Sequence, residues 1–512
     1  MTLKSLLIWL LIGALGLPAN VAAVSRAWGQ EAPQATTPPA IAAEQGEKPP
    51  ANEAALPQDA VTTHRLALAG RTIDYTARAG SLSLTDDKGG ETAEIFYVAF
   101  LRAGDATTQR PITIALNGGP GAASAYLDFL AAGPRILDLG DGRRLPPAHG
   151  EIADNPDAWL DFTDLVFIDP IGTGYSIATG GEDAQKHFFS VRADLEALSA
   201  VIGLALEKLG RRDAPVYLLG ESYGGFRAAR LPLLLSEKQH IQVSGTILLS
   251  PVIEFSLMQG DAFNPLPAAL HLPSYAAVNL EKRGALTPAA LKEAEKFARG
   301  DYLTALAAPL SDLGRRQRAY ATAARLMGIP EAVVARGDGR VPVRSFAREI
   351  DRAEGGVAAP YDGSVAAPAT DRRERERNRG DPILAALTAP VTEGFVRYLQ
   401  GELQFKTDRA YVLLNGKAAR QWSWDDGGDA PGAAQALQKA LRGNPKLRVI
   451  IAGGMTDLVA PYFMNAYVID HLPREARDRI ALKLYAGGHM MYLRPGSRAA
   501  LQHDARALFP AP

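Results

Sequence analysis

The residues with the clearest chemical potential lie in the segment 216–225, VYLLGESYGG. An apolar run leads directly into the pattern G-x-S-x-G, centred on Ser222, and a helix-compatible stretch follows. The pattern needs small residues beside the serine because a sharp turn between strand and helix projects the hydroxyl from the sheet. Ser222 is therefore predicted to be a nucleophile. A serine among glycines is more often only a turn residue, so the prediction depends on partners elsewhere in the chain.

A second serine, Ser176, competes for this role because it also follows a predicted strand. Its segment, GYSIA, lacks the second glycine, and no helix begins directly after it. We therefore expect Ser176 to be part of a structural turn.

Two residues further along the chain could complete a catalytic triad. Asp457 follows the apolar run 448–451, and His489 follows the run 482–485. A nucleophilic serine needs a histidine as general base and an acid that orients it, and the order Ser, Asp, His is that of α/β-hydrolases. Most loop aspartates are caps and most histidines are bystanders. Two suitable residues in the right order, each just past a strand, favour a triad of Ser222, Asp457 and His489.

A glycine-rich loop, NGGPG at 117–121, follows the run 112–116. Backbone N–H groups in such a loop can stabilise a developing oxyanion together with the N–H of the residue after the nucleophile. Gly119 and Tyr223 are the predicted donors. No Gly-Lys-Ser/Thr follows, which excludes a phosphate loop, and a plain structural turn is the alternative.

Short runs rich in β-branched residues predict the strands that position these residues. Helical stretches separate one predicted strand from the next. Runs of this kind are typical of a parallel sheet covered by helices on both faces. An antiparallel edge is expected at the N-terminal side. The predicted parallel strands are 112–116, 165–168, 216–219, 246–249, 448–451 and 482–485, the predicted edge strands are 65–69, 72–76 and 95–101, and one helix is predicted over 191–209.

The domain organisation follows from changes in composition. Residues 30–61 are rich in Pro, Ala, Gln and Glu and predict a flexible tether. The core is expected over 62–252 and 391–512. Between them, 253–390 predicts a helical cap insertion, with helices over 288–300 and 315–327 and a solvated charge run at 371–381.

The N-terminus predicts export. Lys4 precedes an apolar run over 6–17, which Pro18 and small residues follow, so residues 1–29 are expected to be a cleaved signal peptide of a periplasmic or secreted protein. An uncleaved membrane anchor is the alternative, although the run is shorter than the roughly 20 residues that a spanning helix needs. No later segment is long and apolar enough to span a membrane.

Composition excludes several other classes of function. The chain has 512 residues, 47% of them hydrophobic, and a formal net charge of −1, which gives no reason to expect nucleic acid as a partner. It has no cysteine, and its eight histidines are scattered. We therefore expect no disulfide, no cofactor and no metal site.

Together these motifs resemble the serine carboxypeptidases of the carboxypeptidase Y type. The resemblance rests on NGGPG at 117–121, DPIGTGYS at 169–176, GESYGG at 220–225, GMTD at 454–457 and GHM at 488–490. It spans residue 62 to the C-terminus and is weakest in the insertion. It implies an α/β-hydrolase fold, the triad and oxyanion donors named above, and peptide substrates with a free C-terminus. It also implies that Asn117, Gly118 and Glu221 hold the terminal carboxylate of the substrate.

A carboxyl group that binds a carboxylate must share a proton with it, which favours acid to neutral pH. The sequence departs from the family in two places. Residues 121–124 read GAAS where relatives often show Cys-Ser-Ser, and the second recognition glutamate of the family falls near Ala131. These departures question the strength of carboxylate recognition and the preference for acid pH.

Two other functions are compatible with the same motifs. An acyl-enzyme at Ser222 can be formed from an ester or captured by another nucleophile, which describes an esterase or acyltransferase. A non-catalytic binding module is also possible on a hydrolase fold. Trp422 and Trp424 could line the substrate pocket or could belong to the core.

Overall fold

The computed structural model describes residues 55–510 except 69, 105–109, 259, 262, 370–379 and 427–429. The predicted signal peptide and most of the predicted tether lie outside the described residues. The first strand begins at Ala60, and the buried Leu56 already donates its backbone N–H to Glu94. Regular structure therefore starts slightly before the predicted boundary at residue 61.

The strands are β1 Ala60–Leu68, β2 Arg71–Thr85, β3 Glu91–Arg102, β4 Ile112–Leu116, β5 Arg135–Asp138, β6 Glu151–Asp154, β7 Asp164–Ile168, β8 Ile177–Ala178, β9 Val216–Glu221, β10 Val243–Leu249, β11 Gly356–Ala359, β12 Asp362–Pro368, β13 Arg448–Gly454 and β14 Ile480–Tyr485. The central sheet has the order β1-β2-β3-β7-β4-β9-β10-β13-β14, with β8 paired to β3. Strands from β7 to β14 along this order pair in parallel, whereas β1, β2, β3 and β8 pair antiparallel. The predicted parallel strands and the antiparallel edge are therefore confirmed.

The α-helices are α1 Ala125–Leu127, α2 Gly181–Lys186, α3 Val191–Lys208, α4 Tyr223–Leu234, α5 Leu266–Lys282, α6 Lys292–Phe297, α7 Leu303–Ala307, α8 Leu313–Met327, α9 Glu331–Arg336, α10 Val343–Ile350, α11 Pro382–Gly401, α12 Gly416–Gln421, α13 Ala434–Gly443, α14 Tyr462–Asp470, α15 Arg474–Arg477 and α16 Pro495–Arg506. A π-helical turn, Asp128–Ala132, extends α1, and a short 3-10 turn spans Met491–Leu493.

Successive residues of a strand point to opposite faces of the sheet. Since the parallel strands are mainly apolar on both sides, both faces must be covered, and helices cover them. In β4, Ala115 belongs to a core cluster that includes residues of α11 and α16, whereas Ile114 belongs to a second cluster with residues of α3, α4 and α13. Every residue of β4, β7 and β9 is buried. This architecture confirms the predicted α/β-hydrolase fold.

The insertion differs in detail from the sequence prediction. Helix α8 confirms the helix predicted over 315–327, but regular helix begins at Lys292 rather than at 288, after a turn in which Thr287 accepts the N–H of Ala290. The segment also contains the hairpin β11–β12, which the helical signals did not predict. Its predicted end at residue 390 falls inside α11, whose apolar side packs into the main core.

The charge run predicted over 371–381 lies outside the described residues up to 379. Asp381 itself is buried and caps α11, where its side chain accepts the N–H groups of Ile383 and Leu384. Within the described part of the chain, no helix combines the length and apolar character needed to cross a membrane.

Candidate active site

The turn after β9 has the geometry expected of a nucleophile. Ser222 has φ 58° and ψ −121°, a positive-φ conformation that is rare for serine and costs about 1–3 kcal/mol. The turn is held because the Ser222 N–H donates to Leu249 O in β10 at 2.8 Å, and helix α4 begins at the next residue. As the first helical residue, Tyr223 has a backbone N–H that no carbonyl of its own helix can accept.

The glycine-rich loop approaches this turn closely. A Cβ on Gly118 would lie 2.6 Å from Tyr223 N, so only glycine allows the two backbones to come this near. Gly119 follows with φ +98°. The structure thus brings together the loop and the helix N-terminus from which the predicted oxyanion donors come.

Asp457 and His489 meet across two neighbouring parallel strands. Asp457 follows β13 and His489 follows β14, and the carboxyl ends of parallel strands lie at the same edge of the sheet. His489 Nδ1 lies 2.8 Å from Asp457 Oδ2. Both side chains are fully buried, and Asp457 Oδ1 is fixed by the N–H groups of Val459 and Ala460. An acid held in this way orients the imidazole and stabilises its protonated form.

The other imidazole nitrogen, Nε2, faces the nucleophile turn. It lies 4.0 Å from Oε1 of Glu221, the residue before Ser222, and it has no hydrogen-bond partner among the described residues. Burial alone would lower the pKa of His489. The charge and hydrogen bond of Asp457, with the charges of Glu221 and Asp381, outweigh burial and raise this pKa above its usual value.

Glu221 and Asn117 form a buried polar pair beside His489. Asn117 Nδ2 donates to Glu221 Oε2 at 2.5 Å. The amide orientation of Asn117 is settled by its other end, because Leu127 N–H donates to Asn117 Oδ1 at 3.0 Å. Burial raises the pKa of Glu221, although His489, Tyr492 and Asn117 act in the opposite direction. Of the residues predicted to bind a carboxylate, these two and Gly118 are therefore brought together.

A buried ion pair between Arg227 and Asp194 contacts the backbone of Asn117. Arg227, one turn into α4, donates from Nε and Nη2 to the carboxylate of Asp194 in α3, at 2.8 Å each. Its Nη1 donates to Asn117 O at 2.5 Å. Arg227 is 1% exposed and Asp194 is 6% exposed. The guanidinium thus links two helices to the loop that carries the polar pair.

The loop is also held from its other end by the segment DPIGTGYS. Asp169 accepts the N–H of Ser124 at 2.7 Å and the hydroxyl of Tyr411 at 2.9 Å. Ser176, the competing serine, is buried, donates to Asp169 O and accepts the N–H of Phe96. Ser176 therefore has the structural role that its sequence context predicts.

The hairpin of the insertion contacts both triad loops. His489 N–H donates to Tyr361 O at 2.5 Å, and the ring of Tyr361 lies edge-on to the imidazole at 4.8 Å. Asp362 accepts from the hydroxyl of Thr456 at 2.6 Å and from Arg494 Nη2 at 3.0 Å. Tyr361 and Asp362 therefore contact His489 itself, the residue before Asp457, and Arg494.

Trp422 and Trp424 surround the ring of Tyr223, at centroid distances of 5.5 and 5.6 Å. Trp422 is buried and also stacks on Phe189. Trp422 therefore belongs to the aromatic core, whereas Trp424 is partly buried and packs against that core. Ala131 is buried in the π-helical turn and brings no carboxyl group to the site.

Sequence reasoning missed Arg227, Asp362 and Tyr492. Of these, only Arg227 leaves a signal in the sequence: a charged residue in the apolar first turns of α4 indicates a buried partner of opposite charge. Tyr492 donates its hydroxyl to Glu221 Oε2 at 2.8 Å, across 271 residues of sequence. No local pattern reveals a pairing at that separation.

Part of the chain is similar to proteins of a known family. Residues 72–257 match the family described as serine carboxypeptidase. Serine carboxypeptidase-like 50 of Arabidopsis thaliana is 29% identical over 243 residues, which cover 45% of this chain and 51% of the relative. Serine-type carboxypeptidase F of Aspergillus niger is 25% identical over 185 residues, covering 34% of this chain and 31% of the relative. The chain thus matches about half or less of the length of these relatives.

Among solved structures, a proline iminopeptidase of Mycobacterium smegmatis is 14% identical, with a TM-score of 0.35, and the match covers 84% of this chain and 98% of that one. The family match covers the glycine-rich loop, Glu221 and Ser222, and ends before Asp457 and His489. The resemblance of this chain to the serine carboxypeptidase family, predicted from its motifs, is therefore confirmed.

Proposed function

We propose that the protein is a serine carboxypeptidase that removes C-terminal residues from peptides. The observation that carries the proposal is the buried pair of Asn117 and Glu221, joined at 2.5 Å, with Glu221 Oε1 lying 4.0 Å from His489 Nε2. Many hydrolases have a triad, but a carboxyl and an amide next to the general base provide the donors that a peptide's terminal carboxylate needs. This pair favours an exopeptidase over an endopeptidase.

The reaction proceeds through an acyl-enzyme at Ser222. Ser222 Oγ attacks the carbonyl carbon of the last peptide bond while His489 Nε2 takes the hydroxyl proton. Gly119 and Tyr223 N–H groups stabilise the oxyanion, and Asp457 stabilises the imidazolium. When the C–N bond breaks, His489 returns the proton to the leaving amino group. A water molecule, deprotonated by His489, then attacks the ester, and His489 returns that proton to Ser222 Oγ as the shortened peptide is released.

Recognition of the free C-terminus requires Glu221 to be protonated, so that its O–H donates a hydrogen bond to the carboxylate of the substrate. Burial favours this state because it raises the pKa of Glu221. Peptide hydrolysis is therefore expected to decline as pH rises through that pKa. His489 acts in the opposite sense, because a general base must be neutral and activity falls at low pH. Together these groups give a bell-shaped profile favouring acid to neutral pH.

The decisive experiment compares kcat/KM for a blocked dipeptide with a free C-terminus and for its C-terminal amide, across pH. We expect a decline at high pH for the free acid alone, and we expect Glu221→Gln, which keeps a donor without the charge, to flatten that decline. Identical profiles for both substrates, unchanged by the mutation, would remove Glu221 from carboxylate recognition and favour an esterase or endopeptidase.

The nucleophile is tested with a serine-directed phosphonylating probe. Ser222→Ala is expected to abolish labelling and most activity, since no other hydroxyl replaces it. Ser176→Ala is the matched control, a second serine that follows a strand. It should keep labelling while losing about 1–3 kcal/mol of stability, because Phe96 N–H loses its acceptor. Equal loss of labelling in both variants would overturn the assignment.

Export is a separate proposal, which rests on Lys4, the apolar run 6–17 and the small residues beyond it. We expect the first 23 to 29 residues to be removed. N-terminal sequencing of the mature protein tests this, and a cytosolic product that retains Met1 would refute it.

A further inference from the structure

Among the described residues, Tyr492 is the one tyrosine whose hydroxyl donates to Glu221, the residue proposed to bind the carboxylate of the substrate. It lies in the short turn Met491–Leu493, three residues after His489, and its side chain is fully buried. Its hydroxyl donates to Glu221 Oε2 at 2.8 Å. Glu221 has no second carboxyl group as a hydrogen-bond partner among the described residues, and Ala131 offers none. Tyr492 therefore occupies a place beside Glu221 that neither the triad nor the oxyanion donors use.

Two donors converge on the same oxygen of Glu221. Asn117 Nδ2 lies 2.5 Å from Oε2 and the Tyr492 hydroxyl lies 2.8 Å from it. Asn117 must be the donor, because Leu127 N–H occupies the oxygen of its amide, and the Tyr492 hydroxyl donates to the carboxylate. An oxygen that accepts two hydrogen bonds is a poor place for a proton. When Glu221 is neutral, its proton consequently belongs on Oε1, the oxygen that faces His489.

We propose that Tyr492 is a positioning residue that, with Asn117, fixes the neutral carboxyl of Glu221 so that Oε1–H donates to the terminal carboxylate of the substrate. The inference rests on the proposed carboxypeptidase function. In this proposal the hydroxyl of Tyr492 orients the carboxyl group of Glu221. Without it, Glu221 could turn and present an acceptor oxygen, which would repel the carboxylate.

The titratable groups around Glu221 determine how the role of Tyr492 depends on pH. The groups that face it are His489, Asp457 and the tyrosines Tyr126, Tyr361 and Tyr492, in addition to Asn117. Burial and the charge of Glu221 raise the pKa of Tyr492 well above its usual value, so its hydroxyl remains a donor over the whole working pH range. Its hydrogen bond stabilises the ionised form of Glu221. Removing the hydroxyl should therefore raise the pKa of Glu221.

The test is Tyr492→Phe, assayed with the free-acid dipeptide and its amide across pH. For the free acid, we expect KM to rise up to about tenfold, as for the loss of one hydrogen bond between neutral groups, with kcat little changed. We also expect the high-pH decline to move to higher pH. The amide should be hydrolysed as by the parent. A merely structural role would impair both substrates equally, and that outcome would overturn the proposal.

Tyr485→Phe is the matched control, because its hydroxyl donates to the carboxylate of Asp504 at 2.7 Å outside the site. It should change neither substrate's profile. A parent enzyme without preference for the free acid would refute the proposed function itself. A parent with that preference and an unaltered Tyr492→Phe would refute only the role of Tyr492.

A second variant keeps the shape of the side chain in case the phenylalanine protein folds poorly. Replacing Tyr492 by 3-fluorotyrosine makes the phenol a stronger donor. The high-pH decline for the free acid should then move to lower pH, opposite to its direction in Tyr492→Phe. No movement, or movement in the same direction, would overturn the proposal.

Discussion

Arg227→Met should destabilise the protein strongly, because it leaves Asp194 buried without a partner. The wild-type pair is joined by two hydrogen bonds of 2.8 Å, and Arg227 and Asp194 are 1% and 6% exposed. Removing one member of such a pair typically costs about 3–5 kcal/mol. Since globular proteins unfold with about 5–15 kcal/mol, the loss would be a large fraction of the total stability.

The cost should depend on pH in a defined direction. Burial already raises the pKa of Asp194 in the wild type, while Arg227 lowers it, so the variant should have a higher pKa still. Below the unfolded value of about 4, both states are protonated and the charge penalty is absent. As pH rises, the unfolded state loses its proton first, so stability falls until pH has passed the folded pKa. The variant should therefore lose more stability at pH 8 than at pH 5.

Urea unfolding at these two pH values measures the effect. Arg192→Met is a matched control, because Arg192 pairs with Glu196 on the exposed side of the same helix that carries Asp194, with exposures of 82% and 54%. Its cost should stay below about 1 kcal/mol. Adding Asp194→Leu to Arg227→Met should recover much of the stability. A single-variant loss below about 1 kcal/mol, or an equal loss at both pH values, would refute this reasoning.

Three further outcomes are expected. Asp457→Asn removes the charge that stabilises the His489 imidazolium, so kcat for an ester should fall about 10³–10⁴-fold while the fold persists. A fall in the single-turnover rate of less than tenfold would contradict the proposed triad. Asp362→Ala frees Thr456 and Arg494, so free-acid and amide substrates should lose activity equally, with about 1–3 kcal/mol of stability lost in urea unfolding; a selective loss for the free acid would contradict its role beside the triad. Asp457 is the main group that raises the pKa of His489, so the low-pH decline of the residual ester hydrolysis should move to lower pH in Asp457→Asn, and an unmoved decline would be inconsistent with that environment.

The sequence by itself determined the elements of the core and the order of the predicted catalytic residues along it. Buried parallel strands are apolar over their whole length, so runs such as Ile112–Leu116 are visible without any tertiary information. The sharp turn at Ser222 needs small neighbours, which leaves a local pattern as well. The loops with Asp457 and His489 could be placed together because the ends of parallel strands share one edge of a sheet.

The tertiary structure alone decided which side chains complete the site. Asn117 and Glu221 are 104 residues apart, and Tyr492 lies 271 residues after Glu221. Their hydrogen bonds depend on how loops from distant segments pack, and no periodicity records that packing. The role of Asp362, the first residue of β12, could not be predicted for the same reason, since it comes from contacts with Thr456 and Arg494. Local patterns reveal which strands and turns form, whereas contacts between loops follow only from the folded chain.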